Sequence, residues 1–245
     1  MTEARHTLQR PARPALAIRV TEGEGPTVVF LPGYASDMAG SKAEALAAWA
    51  ARRRRRFVRF DYAGCGESAG SFADETLVSW SDDALAVVEA HAGEGPVILV
   101  GSSMVGWLML HVALALGDRV VGLVGIAAAP DFTDWGFDAE QVAMIERDGE
   151  LREANPYGPE PTLTTRALWR SGAALRLLDG EIAIDAPVRL LHGDADPDVP
   201  LEVALRLASA LRSADVVTSV VKGGDHRLSG ERDLARLIAT VESLS

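Results

Sequence analysis

The sequence predicts an α/β fold, with a mainly parallel sheet, helices on both faces and a small helical lid. Short β-branched apolar runs alternate with amphipathic stretches, a pattern that favours buried parallel strands joined by helices. At 245 residues, of which 48% are apolar, the chain is long enough to bury such a sheet. One interruption of the alternation, over residues 131–181, indicates an insertion.

Seven apolar runs are predicted as strands and five periodic stretches as helices. The strands are Leu16–Val20, Thr27–Leu31, Phe57–Phe60, Val97–Val100, Val120–Ile126, Val188–Leu191 and Val216–Val221, the first of them an edge strand because it alternates. The helices are Lys42–Ala51, Glu75–His91, Met104–Leu116, Leu201–Leu211 and Glu231–Leu244. Residues 1–14 show neither pattern, so we expect a flexible N-terminal tail ahead of one domain over 15–245.

The insertion at 131–181 is predicted to be a lid. It contains no good strand and two proline breaks, Asn155-Pro156 and Gly158-Pro159. A pair of ordinary crossover helices is the alternative. Several large side chains could line a pocket beneath the lid or belong to the core: Trp107, Trp135, Phe137, Met144, Tyr157, Leu168 and Trp169.

Charge and cysteine content exclude several kinds of protein. The formal charge of −11 disfavours binding to nucleic acid or anionic lipid, and the basic run Arg52–Arg56 is interpreted as the solvated end of a helix. With Cys65 as its one cysteine, the chain forms no internal disulfide and no cysteine-rich metal site. No apolar run is long enough to span a bilayer. We expect a cytoplasmic protein, with a clipped mitochondrial presequence as the alternative; the oligomeric state stays open.

A candidate nucleophile follows the strand at Val97–Val100. There the chain reads Gly101-Ser102-Ser103-Met104-Val105-Gly106 and then enters a helix. A serine on a sharp strand-to-helix turn, flanked by small residues, is typical of a nucleophile elbow. Ser103 has Gly101 two positions before it, but Val105 stands where a second glycine is usual. A helix N-cap, for which Ser102 is also suited, is the competing interpretation.

Two further strand ends carry an acid and a base. The strand Val188–Leu191 runs into His192-Gly193-Asp194-Ala195-Asp196-Pro197-Asp198, where each of three aspartates could orient a catalytic histidine or serve the turn. His192 is assigned to the turn. The last strand runs into Gly223-Gly224-Asp225-His226, and a histidine on such a loop is free to reach over the sheet.

A loop early in the chain is the fourth candidate part of the site, after the serine, the acid and the histidine. Pro32-Gly33-Tyr34 follows the strand Thr27–Leu31 and can offer a backbone N–H, as can Met104 at the elbow. Two such donors aimed at a developing oxyanion are typically the largest electrostatic contribution in acyl transfer. A plain tight turn is the alternative.

These motifs resemble the α/β-hydrolase superfamily from about residue 16 to the C-terminus. The resemblance rests on the chain order of serine, aspartate and histidine and on Asp61-Tyr62-Ala63-Gly64-Cys65-Gly66-Glu67-Ser68, His192-Gly193-x-x-Asp196-x-x-Val199-Pro200 and Gly224-Asp225-His226. The stretch Gly101–His111 is similar, more narrowly, to the mitochondrial acyl-glucuronide esterase and palmitoyl-protein thioesterase group and its bacterial relatives. The resemblance implies a triad of Ser103, Asp196 and His226, with the backbones of Tyr34 and Met104 as oxyanion donors.

The sequence therefore predicts a serine hydrolase that cleaves carboxylic esters or thioesters of small acyl compounds through an acyl-enzyme on Ser103. No metal or organic cofactor is expected, and no substrate-binding residue is assigned. An amide, lactone or carbon–carbon bond hydrolase with the same triad is the alternative within this superfamily. The alternative that is not an enzyme is a noncatalytic α/β-hydrolase that binds a small molecule.

Overall fold

The protein is built around one eight-stranded sheet. A computed structural model describes residues 3–34, 36–156 and 158–245. The strands are β1 (Ala4–Arg10), β2 (Arg13–Thr21), β3 (Glu24–Leu31), β4 (Arg55–Phe60), β5 (Val97–Ser102), β6 (Val120–Ile126), β7 (Glu150–Glu153), β8 (Thr162–Thr165), β9 (Val188–Gly193) and β10 (Val216–Val221). The central sheet has the order β1-β2-β4-β3-β5-β6-β9-β10, and β7 pairs with β8 in a separate small sheet.

Six strands, from β4 to β10 across that order, are mutually parallel. The helices are α1 (Ser41–Arg53), α2 (Leu77–His91), α3 (Met104–Leu116), α4 (Phe132–Trp135), α5 (Ala139–Asp148), α6 (Arg166–Ser171), α7 (Leu201–Ala210) and α8 (Glu231–Glu242). Two buried clusters sandwich the sheet: one includes residues of α1 and α8, the other residues of α2, α3 and α7. The predicted α/β class, with helices on both faces, is confirmed. In the described part of the chain no helix has the length and apolar character needed to cross a membrane.

The N-terminal segment differs from the expected flexible tail. Residues 4–10 form the edge strand β1, which pairs antiparallel with β2, so the segment predicted as an edge strand lies one place inside the sheet. Arg10 and Arg13 of this hairpin bind the buried carboxylate of Asp83 on α2. Apolar periodicity could not reveal β1, because its residues remain largely exposed.

The predicted insertion covers the carboxyl ends of the strands and contains more than helices. Besides α4, α5 and α6 it holds the β7–β8 hairpin, which we missed because its strands are short and polar. Asp131 at the start of the insertion accepts hydrogen bonds from the N–H groups of Leu177 and Leu178 near its end. Its two ends are therefore joined at the base.

Candidate active site

Ser103 stands on the turn between the central strand β5 and α3. Its backbone has φ 59° and ψ −132°, a conformation that non-glycine residues rarely adopt and that is typical of strained functional turns. Two backbone hydrogen bonds to the end of β6 and the segment after it hold this conformation. The N–H of Ser103 donates to the carbonyl of Ile126 at 2.8 Å, and the carbonyl of Ser103 accepts from the N–H of Ala129 at 3.1 Å. The turn thus presents the side chain of Ser103 above the sheet.

The missing second glycine of the elbow has a steric explanation. A Cβ on Gly106 would lie 2.5 Å from the Cβ of Ala128, whereas Val105 is fully buried in the core cluster that includes α2 and α3. On the other side, a Cβ on Gly101 would lie 2.8 Å from the carbonyl oxygen of Val105. Close packing of α3 onto the sheet therefore requires glycine at 101 and 106, and position 105 accommodates valine.

The structure brings Ser103, His226 and Asp196 together. The His226 Nε2 lies 2.9 Å from the Oγ of Ser103, and its Nδ1 lies 2.9 Å from the Oδ2 of Asp196. Of the other predicted candidates, Ser102 ends β5 with a buried side chain, and Asp194 accepts a bond from the N–H of Gly223. Asp198 is exposed, in the loop between β9 and α7 (residues 194–200), which also carries Asp196 and is called the acid loop below. The roles of the three residues in contact stay a prediction at this point.

Asp196 is held as an anion. Burial raises the pKa of its carboxyl, but the hydrogen bond from His226 and the backbone N–H groups of Val199 and Asp198 outweigh burial, and the pKa lies below its usual range. The Oδ1 accepts from Asp198 at 2.8 Å and from Val199 at 2.9 Å. With Oδ1 occupied, Oδ2 is the oxygen that faces His226.

The loops that carry Asp196 and His226 are packed backbone against backbone. A Cβ on Gly193 would lie 2.1 Å from the carbonyl oxygen of Gly224. The N–H of Ala195 donates to the same carbonyl at 3.1 Å. These glycines, which the sequence suggested only as turn residues, let two segments thirty residues apart along the chain meet.

The loop after β3 lies beside the elbow. A Cβ on Gly33 would be 3.3 Å from the carbonyl oxygen of Ser102 and 3.9 Å from the Cβ of Ser103, so the next residue, Tyr34, is close to the turn that carries Ser103. Met104 is the first residue of α3, where a backbone N–H has no partner within its own helix. The Tyr34 hydroxyl donates to the carbonyl of Leu163 on β8. Burial raises the pKa of that phenol, so it stays protonated near neutral pH.

Ser103 and His226 open into a cavity of about 720 Å³ between the sheet and the lid. Its apolar lining includes Met104, Ala129, Phe132, Trp135 and Phe137. Of the large side chains suggested from the sequence, Trp135 and Phe137 line the cavity, while Trp107 and Leu168 are core residues. Trp169 donates to the carbonyl of Thr133, Met144 is half-buried outside the lining, and Tyr157 lies outside the described residues.

The cavity is also lined by a lysine that no sequence pattern indicated. Lys42, near the start of α1, donates to the carbonyl of Arg227 at 2.6 Å and lines the cavity. Burial, reinforced by the charge of Arg227, lowers its pKa to about 8, against the opposing effect of Asp225. No local motif marks it, because its environment is created by a loop that lies far along the chain.

One group of residues has the composition of a metal site. Ligand atoms of Asp196, Asp198 and His226 lie within 4.8 Å of one another. Both oxygens of Asp196 already accept hydrogen bonds, so a metal there would have to replace the contacts just described.

The fold, together with the contacts among Ser103, His226 and Asp196, indicates the class of protein. Residues 26–149 match the family described as alpha/beta hydrolase fold, and the chain belongs to that family. The predicted resemblance is thereby confirmed.

Particular relatives share nearly the whole chain. Palmitoyl-protein thioesterase ABHD10, mitochondrial, of Rattus norvegicus is 39% identical over 241 residues, which cover 97% of this chain and 81% of the relative. The Homo sapiens protein of the same name is 36% identical and is covered to 78%. Two solved structures are similar, each with a TM-score of 0.91. One is a putative hydrolase from Agrobacterium vitis S4, 38% identical, with 99% of this chain and 98% of that chain covered. The other is alpha/beta hydrolase domain-containing protein 10 from mouse, 36% identical, with 98% of each chain covered.

These relatives agree with the predicted enzyme class, a hydrolase of esters or thioesters, and correct the predicted location. Their names place them in mitochondria, so the cytoplasmic expectation is wrong. That expectation rested on a single cysteine and on the lack of an apolar run that could span a bilayer, and neither feature distinguishes the cytoplasm from the interior of mitochondria.

Proposed function

We propose that this protein is a serine hydrolase that cleaves carboxylic ester or thioester bonds through an acyl-enzyme on Ser103. The pair of 2.9 Å contacts that link Asp196 to His226 and His226 to Ser103 carries the proposal. A nucleophile, a base within hydrogen-bond reach and an acid that orients the base are the parts this chemistry needs.

The proposed mechanism follows from the tautomer of His226. Its Nδ1–H donates to Asp196, so Nε2 of the neutral ring carries the lone pair that faces the Oγ of Ser103. Nε2 takes the hydroxyl proton as Oγ attacks the carbonyl carbon, and the backbone N–H groups of Tyr34 and Met104 stabilise the oxyanion. The protonated ring then gives its proton to the leaving alcohol or thiol. Water, activated by the same nitrogen, releases the acid and restores Ser103.

The cavity supports an acyl substrate. Its apolar lining, with aromatic side chains from the lid, suits the hydrocarbon part of such a compound. The name palmitoyl-protein thioesterase, borne by relatives 36–39% identical, supports a thioester with a fatty acyl group among the substrates.

The test is covalent labelling with a fluorophosphonate probe. We expect labelling of the wild-type protein and of Ser102→Ala, and none of Ser103→Ala, because it is the Oγ of Ser103 that lies 2.9 Å from the Nε2 of His226. An unlabelled, folded wild-type protein would contradict the proposal. Labelling lost in Ser102→Ala but kept in Ser103→Ala would move the nucleophile by one position.

The bond type is tested on a substrate panel. We expect hydrolysis of p-nitrophenyl esters and acyl thioesters of rising chain length, with amides much slower. Turnover of amides or lactones alone would overturn the ester or thioester assignment, even with Ser103 labelled. The absence of any turnover, with a small molecule still bound in the cavity, would favour a binding protein.

A further inference from the structure

A second histidine lies buried beside the acid loop. His192, in β9, is 1% exposed. Its Nε2 lies 2.9 Å from the carbonyl oxygen of Val199 and 3.7 Å from the Oδ2 of Asp196. A carbonyl only accepts hydrogen bonds, so the ring carries its proton on Nε2 and donates it to Val199.

Val199 connects this ring to Asp196. Its N–H donates to the Oδ1 of Asp196 at 2.9 Å, while its carbonyl accepts from His192. The ring therefore holds one of the two backbone donors that fix Oδ1. The rotation of the carboxylate about its own axis, and hence the direction of Oδ2 toward His226, depends on that donor.

Packing alone gives no reason for an imidazole here. The Nδ1 of His192 is buried and has no hydrogen-bond partner in the described part of the chain, and such a group costs roughly 1–3 kcal/mol. An apolar side chain would avoid that cost. The residue is also absent from the cavity lining among the described residues, so it has no contact through which to bind substrate.

We infer that His192 is a positioning residue, which holds the loop of Asp196 so that its Oδ2 receives the Nδ1–H of His226. The inference rests on the proposed function and adds a fourth side chain to it. Asp196 stabilises the imidazolium that forms in the transition state. A misdirected carboxylate therefore lowers kcat, whereas the binding of substrate in the cavity stays unchanged.

The test compares His192→Leu with His192→Gln on a p-nitrophenyl ester. The glutamine amide nitrogen reaches the position of Nε2 and can donate to Val199, but leucine cannot. We expect kcat of His192→Leu to fall roughly 10- to 100-fold, as for other small misplacements of catalytic groups, with KM within about twofold of wild type. His192→Gln should recover most of the loss.

A matched control separates positioning from loss of stability. Like His192, His111 on α3 bonds a carbonyl through its Nε2, that of Leu175 at 2.8 Å, at the base of the lid, although His111 is only half-buried. His111→Leu should lower the Tm to a similar extent and leave kcat within about threefold of wild type. Where His192→Leu does not fold, His192→Asn takes its place: its shorter amide reaches only the Nδ1 position, so we expect its kcat below that of His192→Gln.

Three outcomes would overturn the inference: a folded His192→Leu with wild-type kcat, an equal kcat for glutamine and for leucine or asparagine at position 192, or a loss confined to KM. Ser103→Ala in the same assay tells this failure from that of the proposed function. An inactive Ser103→Ala beside a fully active His192→Leu rejects only the positioning role. Full activity in Ser103→Ala rejects the proposed function itself.

Discussion

At the scale of single residues, Gly193 allows the loop that carries Asp196 to approach the loop that carries His226. We predict that Gly193→Ala lowers kcat/KM about 100-fold, because its new Cβ would lie 2.1 Å from the carbonyl oxygen of Gly224 and would push the two loops apart. Steady-state kinetics on an ester measures the effect. Gly95→Ala is the control, since its Cβ meets nothing within 4 Å; an unchanged rate in Gly193→Ala would show that the loops tolerate separation.

Lys42 is predicted to titrate close to neutral pH. Its pKa is lowered to about 8, mainly by burial, so we expect Lys42 to lose its proton as the pH rises through about 8, below the ordinary range of lysine. Reductive ¹³C-methylation followed by NMR gives two lysine signals, since Lys42 and Lys222 are the two lysines of the sequence. The variant Lys42→Arg assigns them. A Lys42 midpoint at or above 10 would refute the desolvated environment.

At the scale of elements, the loop that follows β3 is tied to the lid. The Tyr34 hydroxyl donates to Leu163 on β8, and its ring packs edge-on against Phe72 and Trp80. We predict that Tyr34→Phe lowers kcat/KM about 3- to 10-fold, the value of one hydrogen bond of roughly 1 kcal/mol, because the loop and the hairpin then move independently. Hydrolysis of a p-nitrophenyl ester measures it.

The chain offers a matched control for this substitution. The hydroxyl of Tyr62 is buried without a hydrogen-bond partner among the described residues, so Tyr62→Phe removes an oxygen that makes no bond. We expect Tyr62→Phe to keep the wild-type rate. If both variants behave alike, the tie between loop and lid has no functional effect.

At the scale of the whole molecule, the N-terminal hairpin is anchored by a buried ion cluster. Asp83 on α2 is fully buried, contacts Arg10 and Arg13, and accepts the N–H of Ala63 at 2.9 Å. We predict that Asp83→Asn lowers the free energy of unfolding by about 3 kcal/mol, because it leaves the largely buried guanidinium of Arg10 without its carboxylate partner. Urea denaturation measures the loss. The exposed neighbour Asp82 serves as control, and a loss in Asp82→Asn equal to that in Asp83→Asn would contradict the role of the cluster.

Local sequence patterns were sufficient to predict most of the central sheet. Apolar runs predicted seven of the eight strands of the central sheet, all except β1, and α3 begins and ends where its periodicity indicated. Such signals are local, since a buried strand must be apolar whatever its neighbours are. The same reasoning fails where burial is slight, as in β1, or where strands are short and polar, as in β7 and β8.

The candidate site depends on contacts that no local pattern encodes. Position after a strand end singled out Ser103 and His226, but three aspartates remained equivalent until a resemblance favoured Asp196. Which carboxylate meets His226 is decided by the register of β9 beside β10 and by the approach of Gly193 to Gly224. The lowered pKa of Lys42 and the bond from His192 to Val199 arise in the same way. Both require folded neighbours, because desolvation and hydrogen-bond geometry exist only once the chain is packed.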